Sequence, residues 1–156
     1  MTTIFAHAPL HAPNSRTDPM TATTLDLAPA SSSSSVLAAT GRVLIAAIFV
    51  LSGASKLADP AGTIAYIQSA GLPLPTVAYA LAVAVELIGG LLLVAGFQTR
   101  IVALGIAGFS LAAAFGFHAN LADQNQFIHF FKNIAIAGGL LQVAAFGPGR
   151  FAFDRR

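Results

Sequence analysis

Glu86 stands near the centre of Thr76–Phe97, TVAYALAVAVELIGGLLLVAGF, a run long and apolar enough to cross a bilayer. A carboxylate surrounded by hydrocarbon is costly, so it must face protein, pair with a cation or hold a proton. Lys56 and Ser52, four residues apart on one helical face, can answer it, as can His118, His129, Lys132 and Asn133. Ammonium and imidazole groups around a buried carboxylate make a proton relay, or a pocket that donates hydrogen bonds to a ligand's oxygens. We take Glu86, Lys56, His118 and Lys132 as candidate relay or donor groups, and Ser52, Asn133 and His129 as candidate ligand contacts. The plainer readings stand beside these. Glu86 can be a structural pin between packed helices, the lysines can snorkel to head groups, and the histidines can be satisfied interfacial residues.

The elements that must position these residues follow from composition. The chain is 56% hydrophobic and 9% charged, with a mean hydropathy of +0.76. Four apolar runs of spanning length account for the excess: about Leu37–Leu57, Thr76–Phe97, Ile101–Ala119 and His129–Phe146. The expected fold is an all-α integral membrane protein, a four-helix transmembrane bundle. A formal charge of +2 gives no reason to expect a nucleic acid partner. The absence of cysteine excludes disulfides, thiolate-held clusters and dithiol relays within this chain. His118 and His129 could in principle hold a metal or haem, but the lysines beside them argue against a cation, so no metal is expected.

Residues 1–35 are rich in Thr, Pro, Ala and Ser and read as a disordered tail, with the serines capping the first helix. Met20 is a second candidate start. Residues 36–150 form the membrane domain, and residues 151–156 a short basic tail. Asp59-Pro60 stops the first helix, and Tyr66 and Ile67 suggest a short interfacial helix between Ala61 and Pro75. Ala119–Phe127 reads as a polar loop, with the fourth helix starting near His129. Arg42, Arg100, Arg150, Arg155 and Arg156 gather at one end of the helices and Lys56 and Lys132 at the other. The positive-inside rule then puts both termini in the cytoplasm.

Gly89–Phe97 and Gly138–Phe146, GGLLLVAGF and GGLLQVAAF, match at seven of nine positions at an offset of 49, and an arginine follows each. The match suggests two parallel, pseudo-repeated hairpins with both Gly-Gly pairs at helix contacts. With the arginines as a reference plane, Lys56 lies 14 residues beyond Arg42 and Glu86 lies 14 before Arg100. His118 is 18 beyond Arg100 and Lys132 is 18 before Arg150. At 1.5 Å per residue the four groups fall within roughly one helical turn of depth, which predicts a shared polar pocket and a direct Lys56–Glu86 pair.

The ordered set of motifs resembles the DoxX family of small bacterial membrane proteins. It runs from Gly41-Arg42 and Ser52-Gly53 with Lys56-Leu57, through Gly71-Leu72-Pro73, Glu86 with Gly89-Gly90, Thr99-Arg100 and His118. It ends with Phe131-Lys132-Asn133, Gly138-Gly139 and Gly147-Pro148-Gly149. The close departs from the family's Ser-Leu-Asp-like triplet, reading Phe151-Ala152-Phe153-Asp154. The resemblance implies a protein of the bacterial inner membrane, associated with quinol-oxidase, thiosulfate:quinone oxidoreductase or oxidative-stress assemblies. The function expected is therefore a membrane subunit of a redox complex, with a quinone-type or small hydrophobic ligand pocket in the outer half of the bilayer. No intrinsic cofactor is expected, and a quinone is the candidate ligand. Expected partners are the lipid bilayer, a protein of the redox complex and, as an option, a second copy of the chain. Two alternatives remain: a non-catalytic membrane organiser for a redox partner, and a small-molecule carrier or sensor. Whether the chain is an enzyme stays open; if so, it is an oxidoreductase subunit.

Overall fold

The computed structural model describes residues 32–154. Among them, four helices are long and apolar enough to cross a membrane: α1 (Ser32–Ala58), α3 (Pro75–Ala95), α4 (Thr99–Phe117) and α5 (Gln124–Phe146). A shorter helix, α2 (Pro60–Ser69), lies between α1 and α3. Asp59 ends α1 and caps α2, its Oδ1 accepting from the Gly62 N–H at 2.9 Å, and Pro60 takes the first helical position. Ile67 of α2 is buried, as the interfacial helix requires.

The ends of α1 and α5 differ from expectation. Most of the expected tail, residues 1–31, lies outside the described residues, but Ser33, Ser34 and Ser35 already lie within α1. Ser35 is buried, and the backbone of Gly149 passes so close that a Cβ there would sit 3.1 Å from Ala38. Packing against the returning chain extends the helix into residues of modest propensity. α5 begins at Gln124 rather than near His129 because Asp123 caps it, accepting from the Gln126 N–H at 2.9 Å. The Asp-x-x-Gln pattern is a capping signature.

The helices pair mainly as α1 with α3 and α4 with α5, while α3 against α4 and α1 against α5 join the two hairpins. Leu93, Ile106, Leu140, Ala46 and Ala103 fill the shared core. Small residues allow the close approaches. A Cβ at Gly90 would come within 2.8 Å of Val50, and one at Gly53 within 2.7 Å of Leu87. Gly89 abuts Ile106 and Gly139 abuts Ile45, but nothing lies within 4 Å of a Cβ at Gly138. The expectation that both glycines of each pair lie at contacts therefore fails at Gly138. Neighbouring helical residues point about 100° apart, and only α3 has a helix close on both of those faces.

At one end of the bundle Arg42 is 2% exposed. Its guanidinium donates to the carbonyls of Pro148 (2.6 Å), Phe151 (2.7 Å) and Val94 (3.3 Å). The segment expected as a short basic tail is tied down as far as Asp154, with residues 155–156 outside the described part. Phe153 N–H donates to Ala95 O and Asp154 N–H to Gly96 O. The Asp154 carboxylate accepts from the Gln98 and Thr99 N–H groups at 3.0 and 2.7 Å, satisfying donors at the start of α4.

Candidate functional site

At the opposite end, where the lysines lie, the contact at Gly53 brings α1 against the stretch of α3 that carries Glu86. That stretch, Ala84–Gly89, is a π-helical turn within the otherwise α-helical span. Such turns add a residue to the helix and recur at functional sites. Glu86 is 5% exposed, with two cationic or polar groups of α1 over it. Lys56 Nζ lies 2.9 Å from Oε1 and 2.8 Å from Oε2. It also donates to Ser52 Oγ at 2.8 Å, and Ser52 Oγ donates to Oε1 at 3.3 Å. The expected pair between Lys56 and Glu86 is thus formed, with Ser52 as its third member. Of the two Glu86 oxygens, Oε1 accepts from both Ser52 and Lys56, whereas Oε2 is fully buried against the Lys56 ammonium.

The pair forms the floor of a cavity of about 390 Å³ that His118 of α4 and Lys132 and Asn133 of α5 also line. Its walls are largely apolar, with Ile48, Phe109, Phe117 and Ile136 among them. α2 contributes Thr63, Tyr66 and Ile67, and the Tyr66 ring stacks on Phe117 with centroids 5.5 Å apart. Volume and lining match those of small-molecule pockets, apolar with a few convergent polar groups.

The structure gathers six of the seven candidates on this cavity: Glu86, Lys56, His118, Lys132, Ser52 and Asn133. His129 is not on the lining. It sits behind, with its Nδ1 2.7 Å from Lys132 Nζ and its ring stacked on His118 at 5.1 Å. Its carbonyl accepts from Asn133 Nδ2 at 3.0 Å. His129 therefore positions Lys132 and Asn133 rather than facing the cavity. His118 Nδ1 lies 2.6 Å from Gln126 Oε1, so Nδ1–H donates and Nε2 is left for other partners. Sequence reasoning missed Gln126, which the capping pattern at Asp123 would have placed beside His118. It also missed Tyr79, whose hydroxyl donates to the Lys56 carbonyl at 3.3 Å, and the lining residue Ser110.

Residues 37–119 match the model of the DoxX family. The chain belongs to the DoxX family. It is 40% identical over 117 residues to inner membrane protein YqjF of Escherichia coli (strain K12), covering 73% of this chain and 86% of that protein. It is 36% identical over 126 residues to inner membrane protein YphA of the same organism, covering 78% and 90%. No solved structure matches. With these relatives and four spanning helices, the chain is an inner-membrane DoxX protein. The matched DoxX residues contain Ser52, Lys56, Glu86 and His118, while Lys132 and Asn133 lie beyond them on α5.

Proposed function

We propose that this DoxX protein is a membrane subunit of a redox complex that holds a quinone-type head group, or a comparable small hydrophobic molecule, in the cavity above Glu86. The observation that carries the reading is the cavity itself: about 390 Å³ of largely apolar space on which an ion pair and further polar groups from four spanning helices converge. The residues fit such a ligand. Ring carbonyls need donors, which Lys132 Nζ and the Asn133 amide supply, and a flat ring suits walls that include Phe109 and Phe117. A bound quinone would supply electron acceptance coupled to proton uptake. The chain's own residues would orient it and hold protons at His118 Nε2 and the Lys56–Glu86 pair. With no cysteine in the chain, electrons would arrive from a protein partner.

Arg42, Arg100 and Arg150 at one end, against Lys56 and Lys132 at the other, support cytoplasmic termini and a cavity in the outer half of the bilayer. Single cysteines at Ser69 and Asn125 should then react with a membrane-impermeant thiol reagent in intact cells. Reaction only after permeabilisation would move the cavity to the cytoplasmic half. Purification in mild detergent followed by lipid extraction tests the ligand: quinone should co-purify with the wild type and be depleted in Lys132→Met. A second reading, a non-catalytic organiser of a redox partner, is favoured by the contact at Gly53, where the Lys56–Glu86 pair also locks α1 to α3. A quinone-free protein that co-purifies with a soluble redox partner would support it.

A further inference from the structure

We propose that the outward face of α5 is the interface of a parallel homodimer, in which the Gln142 side chain pairs with its counterpart in a second copy of this chain. The proposal is independent of the cavity and of what the cavity holds.

The least apolar of the four spans is also the least sheltered. Only 11% of the α5 span is buried within the chain, against 22%, 22% and 28% for the other three. Polar groups in a spanning helix normally face protein, so the order should run the other way. Lys132 and Asn133 supply part of this polarity and line the cavity. Gln142 does not: it is exposed and makes no hydrogen bond among the described residues. It lies four residues inside the end of α5 at Phe146, roughly 6 Å along the axis. Helical side chains lean toward the N-terminus of their helix, and α5 runs toward the arginine end. Gln142 therefore leans away from the nearer head groups and deeper into hydrocarbon. An amide there, with two N–H donors and a carbonyl acceptor, needs a partner from outside the chain.

The residues in line with Gln142 have the spacing of a helix–helix seam. Ile128, Phe131, Ala135, Gly138, Gln142 and Ala145 follow one another at alternating steps of three and four, and all are exposed. Ala137 and Leu140, which face the chain's own core, lie on the opposite side of the helix. Beside Gln142 the seam is made of small residues, so a second backbone can come within reach of the amide. The second helix is that of another copy because the amide is self-complementary. Copies inserted in one orientation place facing α5 helices parallel, with the two Gln142 side chains at equal depth. Each amide then donates to the other and accepts from it across a twofold axis along the membrane normal. A polar pair at one seam position also fixes the register of the two helices. A different protein would have to bring its own donor and acceptor to that depth, whereas self-pairing needs only what this chain carries.

The chain has no cysteine, so single cysteines can map the interface in the full-length protein in native membranes. On oxidation, Gly138→Cys and Ala145→Cys should each give a disulfide-linked species of twice the chain's mass. Leu141→Cys, equally exposed but about 100° round the helix from Gln142, should not. In detergent, sedimentation equilibrium should show self-association weakened about tenfold in Gln142→Leu and less in Gln142→Asn. Gln142 bonds to nothing within its own chain, so Gln142→Leu should melt like the wild type at dilutions where both are monomeric. That comparison separates lost association from misfolding. Equal crosslinking at Leu141→Cys, unchanged self-association in Gln142→Leu, or a wild type that stays monomeric at every concentration would overturn the proposal. A crosslinked species of any other mass would give the face to a different protein and overturn it as well.

Discussion

The two ends of this bundle put charged side chains to opposite uses. At the arginine end, Arg42 is buried and spends its hydrogen bonds on three backbone carbonyls, and Asp154 accepts from two backbone N–H groups. These hydrogen bonds to main chain tie the C-terminal segment to α1, α3 and the start of α4, with the Asp154 carboxylate also acting on the Arg42 charge. At the lysine end, Lys56, Glu86 and Ser52 bond to one another through side chains, beside a cavity. Charge bonded to backbone in a closed joint is architecture. Charge bonded to side chains around an open space is available for chemistry.

The contrast breaks most sharply at Arg42. Arg42→Ala removes a buried cation and leaves the carbonyls of Pro148, Phe151 and Val94 without a donor, so we expect a loss of about 3 kcal/mol, read as thermal unfolding in detergent. Retention of wild-type stability would mean that water replaces the guanidinium and that the joint is not closed. Gly90→Leu should cost about 1–3 kcal/mol by driving a side chain into Val50, whereas Gly138→Leu should leave stability unchanged. Equal losses from the two would contradict the observed helix faces. At the lysine end, Lys56→Met and Glu86→Gln should each destabilise, and the double variant should cost less than their sum by about 0.5–3 kcal/mol. Additive losses would mean that the ion pair is uncoupled. The smallest effect is expected at Asp154→Ala, about 1 kcal/mol from the lost N–H acceptor, with faster hydrogen exchange at Gln98 and Thr99. Unchanged exchange there would show that the tail leaves α4 uncapped.

Much of the lysine end was legible in the sequence because depth in a spanning helix is a matter of counting. Residues equally far from the arginines, such as Lys56 and Glu86, lie at one level, and a lysine is the natural partner of a carboxylate that cannot reach water. Counting gives depth but not azimuth. The direction in which each side chain points depends on which neighbour packs on which face, so His129 ends up behind Lys132 and Gly138 faces open space. The π turn at Ala84–Gly89 has no local sequence signal and changes the azimuth of Glu86 itself. The arginine end was harder to read because Arg42 and Asp154 bond to backbone, and backbone partners carry no residue type to match. The repeat of GGLLLVAGF in GGLLQVAAF gave helices of similar character, but the contacts their glycines make do not repeat.

The central claim is that the lysine end is built to bind and the arginine end to hold, and Lys132 separates the two most cleanly. It lines the cavity, is exposed, and has no ion-pair partner among the described residues. The decisive measurement is the melting temperature of wild type and Lys132→Met in detergent, each with and without a saturating short-chain benzoquinone. We predict the same melting temperature for both without ligand, a clear rise for the wild type with ligand, and little or no rise for Lys132→Met. A variant that melts lower without ligand, or that gains as much from ligand as the wild type does, would contradict the account.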